Sequence, residues 1–322
     1  MKTPVLLIAF NRPDITSQAV GAIALARPGK LYVAADGPRP GNDGDVANCA
    51  ETRRVATQVT WPCNVKTLFQ ESNLGCKKGV ATAISWFFEN EEEGIIIEDD
   101  ILPDPTFFPF CEELLERYRT DSRVSLISGS NFVSDKIRTR CSYHFSIYGY
   151  IWGWASWRRA WTDFDMAIRE WPSWRETDAL RRVASQGRPF QHFWRAAFDT
   201  AYRGEVDTWD YQWLFANWRL GRLAVLPCVN LTRNIGFRAD ATHTGAKEPA
   251  YVRLSSALPM AFPLTHPPQV EPTPLLDSLI SRTVYGISPW RYWLTQVGPI
   301  AILRRAVRPI VRCLSGKQRK VP

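Results

Sequence analysis

The sequence predicts an α/β protein: a doubly wound, mostly parallel central sheet with helices on both faces. Three observations predict it. Short apolar runs recur through the first 130 residues, at 5–10, 31–35, 65–69, 95–97 and 124–127. They are continuous rather than alternating, as strands buried on both faces are. Stretches with helical spacing lie between them, at 15–26, 46–59, 80–89 and 107–119, which implies parallel pairing through crossover helices.

The chain has 322 residues, 45% apolar and 22% charged, so wholesale disorder and collagen-like structure are excluded. Seven cysteines with no CxxC pair exclude a disulfide scaffold and a thiolate zinc site, and suggest a reducing compartment. The net charge is +8, yet Arg282, Arg291, Arg304, Arg305, Arg308, Arg312, Lys317, Arg319 and Lys320 follow the last acidic residue, Asp277. Those nine cations leave the first 277 residues at −1. The body is therefore not a nucleic-acid binder; the basicity belongs to a tail. The apolar run 5–10 behind Lys2 is too short for a signal sequence and meets Asn11-Arg12-Pro13-Asp14, so a cytoplasmic chain is expected.

In a doubly wound sheet the ligand site lies at the carboxyl ends of the strands. The first strand is followed by Asn11 and Arg12, the second by Asp36 and Gly37. The third leads into Asn73-Leu74-Gly75-Cys76-Lys77-Lys78, the fourth into Glu98-Asp99-Asp100. Three adjacent carboxylates at a buried strand end repel one another unless a cation balances them, and oxygen ligands select Mg²⁺ or Mn²⁺. A solvated acidic loop capping the next helix is the plainer alternative. Asp36-Gly37 fits either a contact to a ribose or base or a simple turn. Arg12 fits either a phosphate or base contact or a pair with Asp14. Asn73, Gly75 and Lys78 offer amides and a cation for phosphate, or form an ordinary loop. No GxxxxGK[ST] or GxGxxG is present, which removes P-loop and dinucleotide readings.

From about residue 132 the pattern changes. Residues 148–161 are densely aromatic, with Trp152, Trp154, Trp157 and Trp161. These rings suit either core packing or a sugar-stacking platform. Helical spacing recurs at 178–185, 190–202 and 211–220, a strand is expected at 223–227, and 236–275 reads as loops. Asp207 and Asp210 sit among aromatic residues, where a carboxylate is suited to act as a general base, or caps the helix that begins there. His243 is a loop histidine, one of four in the chain. From about 290 an amphipathic basic helix is expected, kinked or ended at Pro309.

Taken together, PVLLIAFNRP from Pro4 to Pro13, Asp36-Gly37, Asn73-Leu74-Gly75, Glu98-Asp99-Asp100, GWASWRRAW from Gly153 to Trp161, Trp209-Asp210, NIGF from Asn234 to Phe237 and DATHT from Asp240 to Thr244 resemble the nucleotide-diphospho-sugar transferases of the GT-A fold. The likeness spans roughly residues 4–245, and is nearest to a bacterial group similar to N-acetylglucosaminyltransferase I. It implies a nucleotide-sugar-binding half at 1–130 and an acceptor and catalytic half at 131–275 within the same domain, to which the charge pattern adds a basic tail at 276–322. It also implies that Asn11, Arg12, Asp36, Gly37, Asn73, Gly75, Lys78, Glu98 and Asp99 bind the nucleotide sugar. Asp100, joined by His243, would hold Mn²⁺ or Mg²⁺. Asp210 matches the family's base position, but Tyr211 stands where the eukaryotic members have a second Asp, which leaves Asp207 as a rival. Trp152, Trp154 and Trp157 would bind the acceptor. The expected activity is inverting, metal-dependent transfer from a nucleotide-diphosphate sugar, UDP-sugar favoured, to a glycan or lipid-linked glycan. The tail would touch an anionic membrane surface, or pack its apolar face on the body or a second subunit. The alternatives are a sugar nucleotidyltransferase and a non-catalytic, Trp-rich glycan-binding protein.

Overall fold

The computed structural model describes residues 1–184, 186–238 and 248–294. His243 and the tail from 295 onward lie outside the described residues, and so does the kink expected at Pro309.

The strands are β1 (Val5–Ala9), β2 (Lys30–Ala35), β3 (Asn64–Phe69), β4 (Glu93–Glu98), β5 (Ile101–Pro103), β6 (Val124–Ser128), β7 (Tyr143–Ser146), β8 (Trp154–Trp157), β9 (Leu223–Pro227) and β10 (Thr232–Asn234). The helices are α1 (Pro13–Ala26), α2 (Asp43–Thr57), α3 (Gly75–Asn90), α4 (Phe107–Arg117), α5 (Arg158–Trp161), α6 (Trp171–Arg175), α7 (Ala179–Val183), α8 (Gly187–Tyr202), α9 (Asp210–Arg219), α10 (Ala250–Arg253), α11 (Pro274–Thr283) and α12 (Pro289–Tyr292). Eight strands form one sheet in the order β3-β2-β1-β4-β8-β6-β9-β7, and β10 pairs with β5 in a separate antiparallel ribbon. β3, β2, β1 and β4 are mutually parallel, and β6 is parallel to β9. β8 and β7 run against their neighbours. The α/β, mostly parallel architecture is therefore the one the apolar runs predict.

β1 shows why those runs carry no alternation. All five of its residues are buried. Val5 and Leu7 join a core shared with α1, α2 and α4, whereas Leu6 and Ile8 join a second core with α3. Each fully buried aliphatic side chain contributes roughly 1.5–3 kcal/mol, and burial on both faces removes any polar position. The sheet runs without a break from the first 130 residues into the following stretch, through the pairing of β4 with β8.

Several features differ from the expectation. β3 is an edge strand, exposed or half-buried rather than covered on both faces, and the short helix α10 lies in the stretch read as loops. The strands β7 and β8 stand where the sequence pattern predicts none, just before and inside the aromatic run. The stretch 276–287 belongs to the body rather than to a tail: Leu276 and Ile280 of α11 are 0% exposed. Asp277 accepts hydrogen bonds from the Ser146 hydroxyl and from the Ile147 amide. No helix among the described residues is long and apolar enough to cross a membrane.

Candidate functional site

The ends of β1, β2 and β4 open into one cavity of about 240 Å³, lined by Arg12, Asp36, Asn73, Gly75, Glu98 and Asp99, with Asp207 also on its wall. Parallel pairing brings the ends together: Ala9 lies opposite Ala35, and Ile8 opposite Glu98. Asn11 and Lys78 do not line this cavity. The Asn11 amide donates to Asp45 at 2.7 Å, and Lys78 is exposed.

The acidic triplet is not a solvated loop. Asp99 is 3% and Asp100 8% exposed. Arg12 Nη2 lies 2.5 Å from Asp99 Oδ1 and 3.1 Å from Asp100 Oδ2, so one guanidinium bridges both carboxylates. Asp14, the other partner considered for Arg12, pairs with Arg238 instead. One positive charge faces three carboxyl groups, and Glu98 and Asp99 are weakened as acids. Burial, then the charges of Asp100 and Asp99, push the Glu98 carboxyl well above the usual range. Burial also raises Asp99, against the pull of Arg12.

That residual negative charge fits a divalent cation. Among the described residues no three His, Cys, Asp or Glu side chains group into a metal cage. An ion held by one or two carboxylates together with substrate phosphates would need no such cage, and Asp100 itself does not line the cavity. Gly236 packs directly against Asp100, since a Cβ there would overlap its carboxylate. Gly236 carries no signal that periodicity could have found.

Asp36 shapes the loop after β3. Its carboxylate accepts from the amides of Gly37 and Leu74, at 2.8 and 2.9 Å, and from the Asn73 side chain at 3.0 Å. Burial raises its pKa, and those backbone amides oppose the rise. Gly37 fits against the backbone of Ser72 so closely that a Cβ would overlap it. The structure shows the turn reading of Asp36-Gly37, and of the pair Asp36 lines the cavity.

Asp207 and Asp210 separate in role. Asp207 Oδ2 and Oδ1 accept from the amides of Cys76 and Lys77, each at 3.1 Å. It caps α3, whose first residue, Gly75, has a positive φ of 76°. The amides expected to cradle phosphate therefore hold a carboxylate from elsewhere in the chain. Asp210 opens α9, accepts from the Thr208 hydroxyl and from the Tyr211 amide at 2.9 Å, and lines a second cavity of about 220 Å³ with Tyr150, Trp152 and Trp213. Its charge contributes to the raised pKa of both Glu98 and Cys76, which places it within electrostatic range of the first cavity.

The aromatic platform needs correction. Trp154 and Trp157 are 0% and 2% exposed, and are core. Trp154 stacks on Trp209 at 5.8 Å, and the Trp157 indole donates to the Leu115 carbonyl at 3.2 Å. They sit on β8, buried between β4 and β6, so neither face meets solvent. Only Trp152 of the three lines the second cavity.

No protein-family model matches the chain, and no curated protein matches it. Solved structures with partial likeness include TarS of S. aureus, at 12% identity and TM-score 0.34, over 52% of this chain and 30% of that one. UDP-glucose pyrophosphorylase complexed with UDP-glucose follows at 11% identity and TM-score 0.26, over 47% of this chain and 64% of that one. Mannose-1-phosphate geranyltransferase of Thermus thermophilus aligns at 13% identity and TM-score 0.32, over 63% of this chain and 68% of that one. The chain thus spans less than two thirds of the first two. Likeness at this level carries no argument about the reaction, which rests on the residues above.

Proposed function

We propose that the chain is a metal-dependent, inverting glycosyltransferase that moves a sugar from a nucleotide-diphosphate donor, a UDP-sugar first among them, to a hydroxyl of a glycan or lipid-linked glycan. One observation carries the proposal: Glu98 and Asp99 share a strand-end cavity with Arg12 and Asp36, while Asp210 stands in a second, aromatic cavity.

Arg12 holds Asp99 and Asp100 in place and adds positive charge where a diphosphate would lie. Glu98 keeps its proton to higher pH than an ordinary carboxyl, so it can donate to a ribose or sugar hydroxyl. Asp100 would hold Mn²⁺ or Mg²⁺, with His243 a second candidate ligand; such an ion, when bound, neutralises charge on the diphosphate. Asp210 takes the proton of the acceptor hydroxyl. The acceptor oxygen bonds to the anomeric carbon from the face opposite the diphosphate, and the carbon–oxygen bond to the diphosphate breaks. Configuration inverts. Trp152 supports the acceptor and excludes water.

Nucleoside-diphosphate release from a panel of UDP-, GDP- and dTDP-sugars with Mn²⁺ tests this. The expected result is metal-dependent release that Asp100→Ala abolishes. Undiminished turnover in that variant refutes the assignment.

The basic segment supports contact with an anionic leaflet, at ~1 kcal/mol per cation near the surface. Trp290 and Trp293, 66% and 43% exposed and stacked at 5.3 Å, precede most of those cations. Equal retention on anionic liposomes with and without residues 300–322 would discard this part of the reading.

A further inference from the structure

A third cavity, of about 680 Å³, shares no lining residue with the two described above. Its wall comes from α7, α8, α11 and the start of α12. Arg181 and Arg182 of α7 and Arg282 of α11 line it, all three exposed, and none forms an ion pair among the described residues. Other arginines of the body are matched by a carboxylate: Arg39 by Asp45, Arg119 by Glu93, Arg222 by Asp163. The one carboxylate on this wall, Asp277, is 4% exposed and accepts from the Ser146 hydroxyl and the Ile147 amide. It is turned to the protein, and the cations are left to the solvent side. Like charges gathered on a concave wall raise the local potential and concentrate anions. α8 adds to this. It begins at the wall with Gly187, and its N-cap residue Gln186 makes no side-chain capping bond, which leaves first-turn amides for an anion.

The chemistry of the wall narrows the anion. Guanidinium groups pair bidentately with phosphate oxygens, and a phosphate monoester carries about −1.5 to −2 charges near pH 7, more than a carboxylate does. The cavity also exceeds the needs of a bare ion. It follows α11 from Pro274 to Arg282, about 12 Å at the rise of an α-helix. Val183, Ile287 and Pro289 make part of the wall apolar. A phosphate joined to a glycerol and acyl chains uses both parts of such a wall, whereas inorganic phosphate uses one. Trp290 and Trp293 follow Pro289 closely, exposed and stacked, and indole rings settle at the interface of a bilayer.

We propose that this cavity binds the phosphomonoester headgroup of an anionic phospholipid through Arg181, Arg182 and Arg282. The body then carries a lipid site of its own, separate from the basic segment after residue 300. The site stands whether or not the chain transfers a sugar.

The test measures binding of the full chain to phosphatidylcholine vesicles that contain phosphatidic acid or, at matched surface charge, phosphatidylglycerol. The native chain should prefer phosphatidic acid at least about fivefold. Arg181→Gln/Arg182→Gln/Arg282→Gln should lose that preference with its melting temperature and UDP affinity unchanged. Arg304→Gln/Arg305→Gln/Arg308→Gln removes the same charge from the tail, and should weaken binding to both vesicles yet keep the preference. Should the first triple variant not fold, Arg282→Gln alone should lower the preference. No preference in the native chain, or one that survives the loss of the three cavity arginines, overturns the site. Glycerol 3-phosphate binding as tightly as the vesicles would make the ligand a soluble phosphate compound and overturn the lipid assignment. Loss of UDP affinity in the cavity variant would place a nucleotide diphosphate here and overturn it too. A preference that depends on these arginines in a chain that binds no nucleotide sinks the transferase reading and leaves the lipid site standing.

Discussion

The carboxylate of Asp207 accepts a 3.1 Å hydrogen bond from the amide of Cys76, 131 residues earlier in the chain. With the matching bond from Lys77 it closes the first turn of α3 and ties the segment before α9 to the strand-end cavity. A carboxylate committed in this way is a scaffold element. On the proposed mechanism the base is Asp210.

The two residues should separate in one experiment. Asp207→Ala should cost ~1 kcal/mol of stability, as loss of a helix cap does, and leave turnover within about tenfold. Asp210→Asn should lower turnover by roughly 10²–10⁴ while nucleotide affinity is retained. Steady-state rates and melting curves of both variants check this, and the reverse ranking would make Asp207 the base.

Arg12 is the internal counter-ion of the acidic triplet. Its side chain is 16% exposed and Asp99's is 4%, so removing it strands buried carboxylates. Arg12→Leu should destabilise the fold by about 3–5 kcal/mol in denaturant titrations. Added Mn²⁺ should recover part of that loss if the triplet binds a cation.

The tryptophans should divide by burial. Trp154→Ala removes a fully buried ring and should cost about 3–5 kcal/mol. Trp152→Ala should change stability less and raise KM for the acceptor more than for the donor. Equal stability losses would place Trp152 in the core as well.

Asp277 makes the fold sensitive to pH. Burial holds its carboxyl up to about 7, against the hydrogen bonds from Ser146 and Ile147 that pull it down. The folded state therefore favours the protonated acid. That contribution is complete below about pH 4 and is lost as pH rises towards 7, a change of at most ~4 kcal/mol. Unfolding free energies measured across this range should fall with pH in the native chain, and the Asp277→Asn variant should flatten the profile.

Much of the fold is legible in the chain, and the rest is hidden for physical reasons. Continuous apolar runs place β1, β2 and β4 because strands covered on both faces tolerate nothing else, whereas β3 is an edge strand with exposed Asn64, Lys66 and Thr67. The same rule hides β8. Trp154, Ala155, Ser156 and Trp157 are all buried, so they show no period, and their rings suggest a platform instead. The strand ends point to Arg12, Asp36 and Glu98–Asp100, but not to how Arg12 pairs, because that partner is 87 residues away. The capping bond of Asp207 and the fit of Gly236 against Asp100 are likewise contacts between distant segments. Local pattern cannot report them.

The central claim is that the excess negative charge at the end of β4 is matched by a divalent ion shared with a nucleotide diphosphate. Calorimetric titration of the chain with UDP, with and without Mn²⁺, tests it most directly. The account predicts binding that Mn²⁺ strengthens at least about tenfold, a gain of ~1.4 kcal/mol, and that Asp100→Ala returns to the metal-free level. Failure of UDP, GDP and dTDP to bind under any metal condition would contradict it.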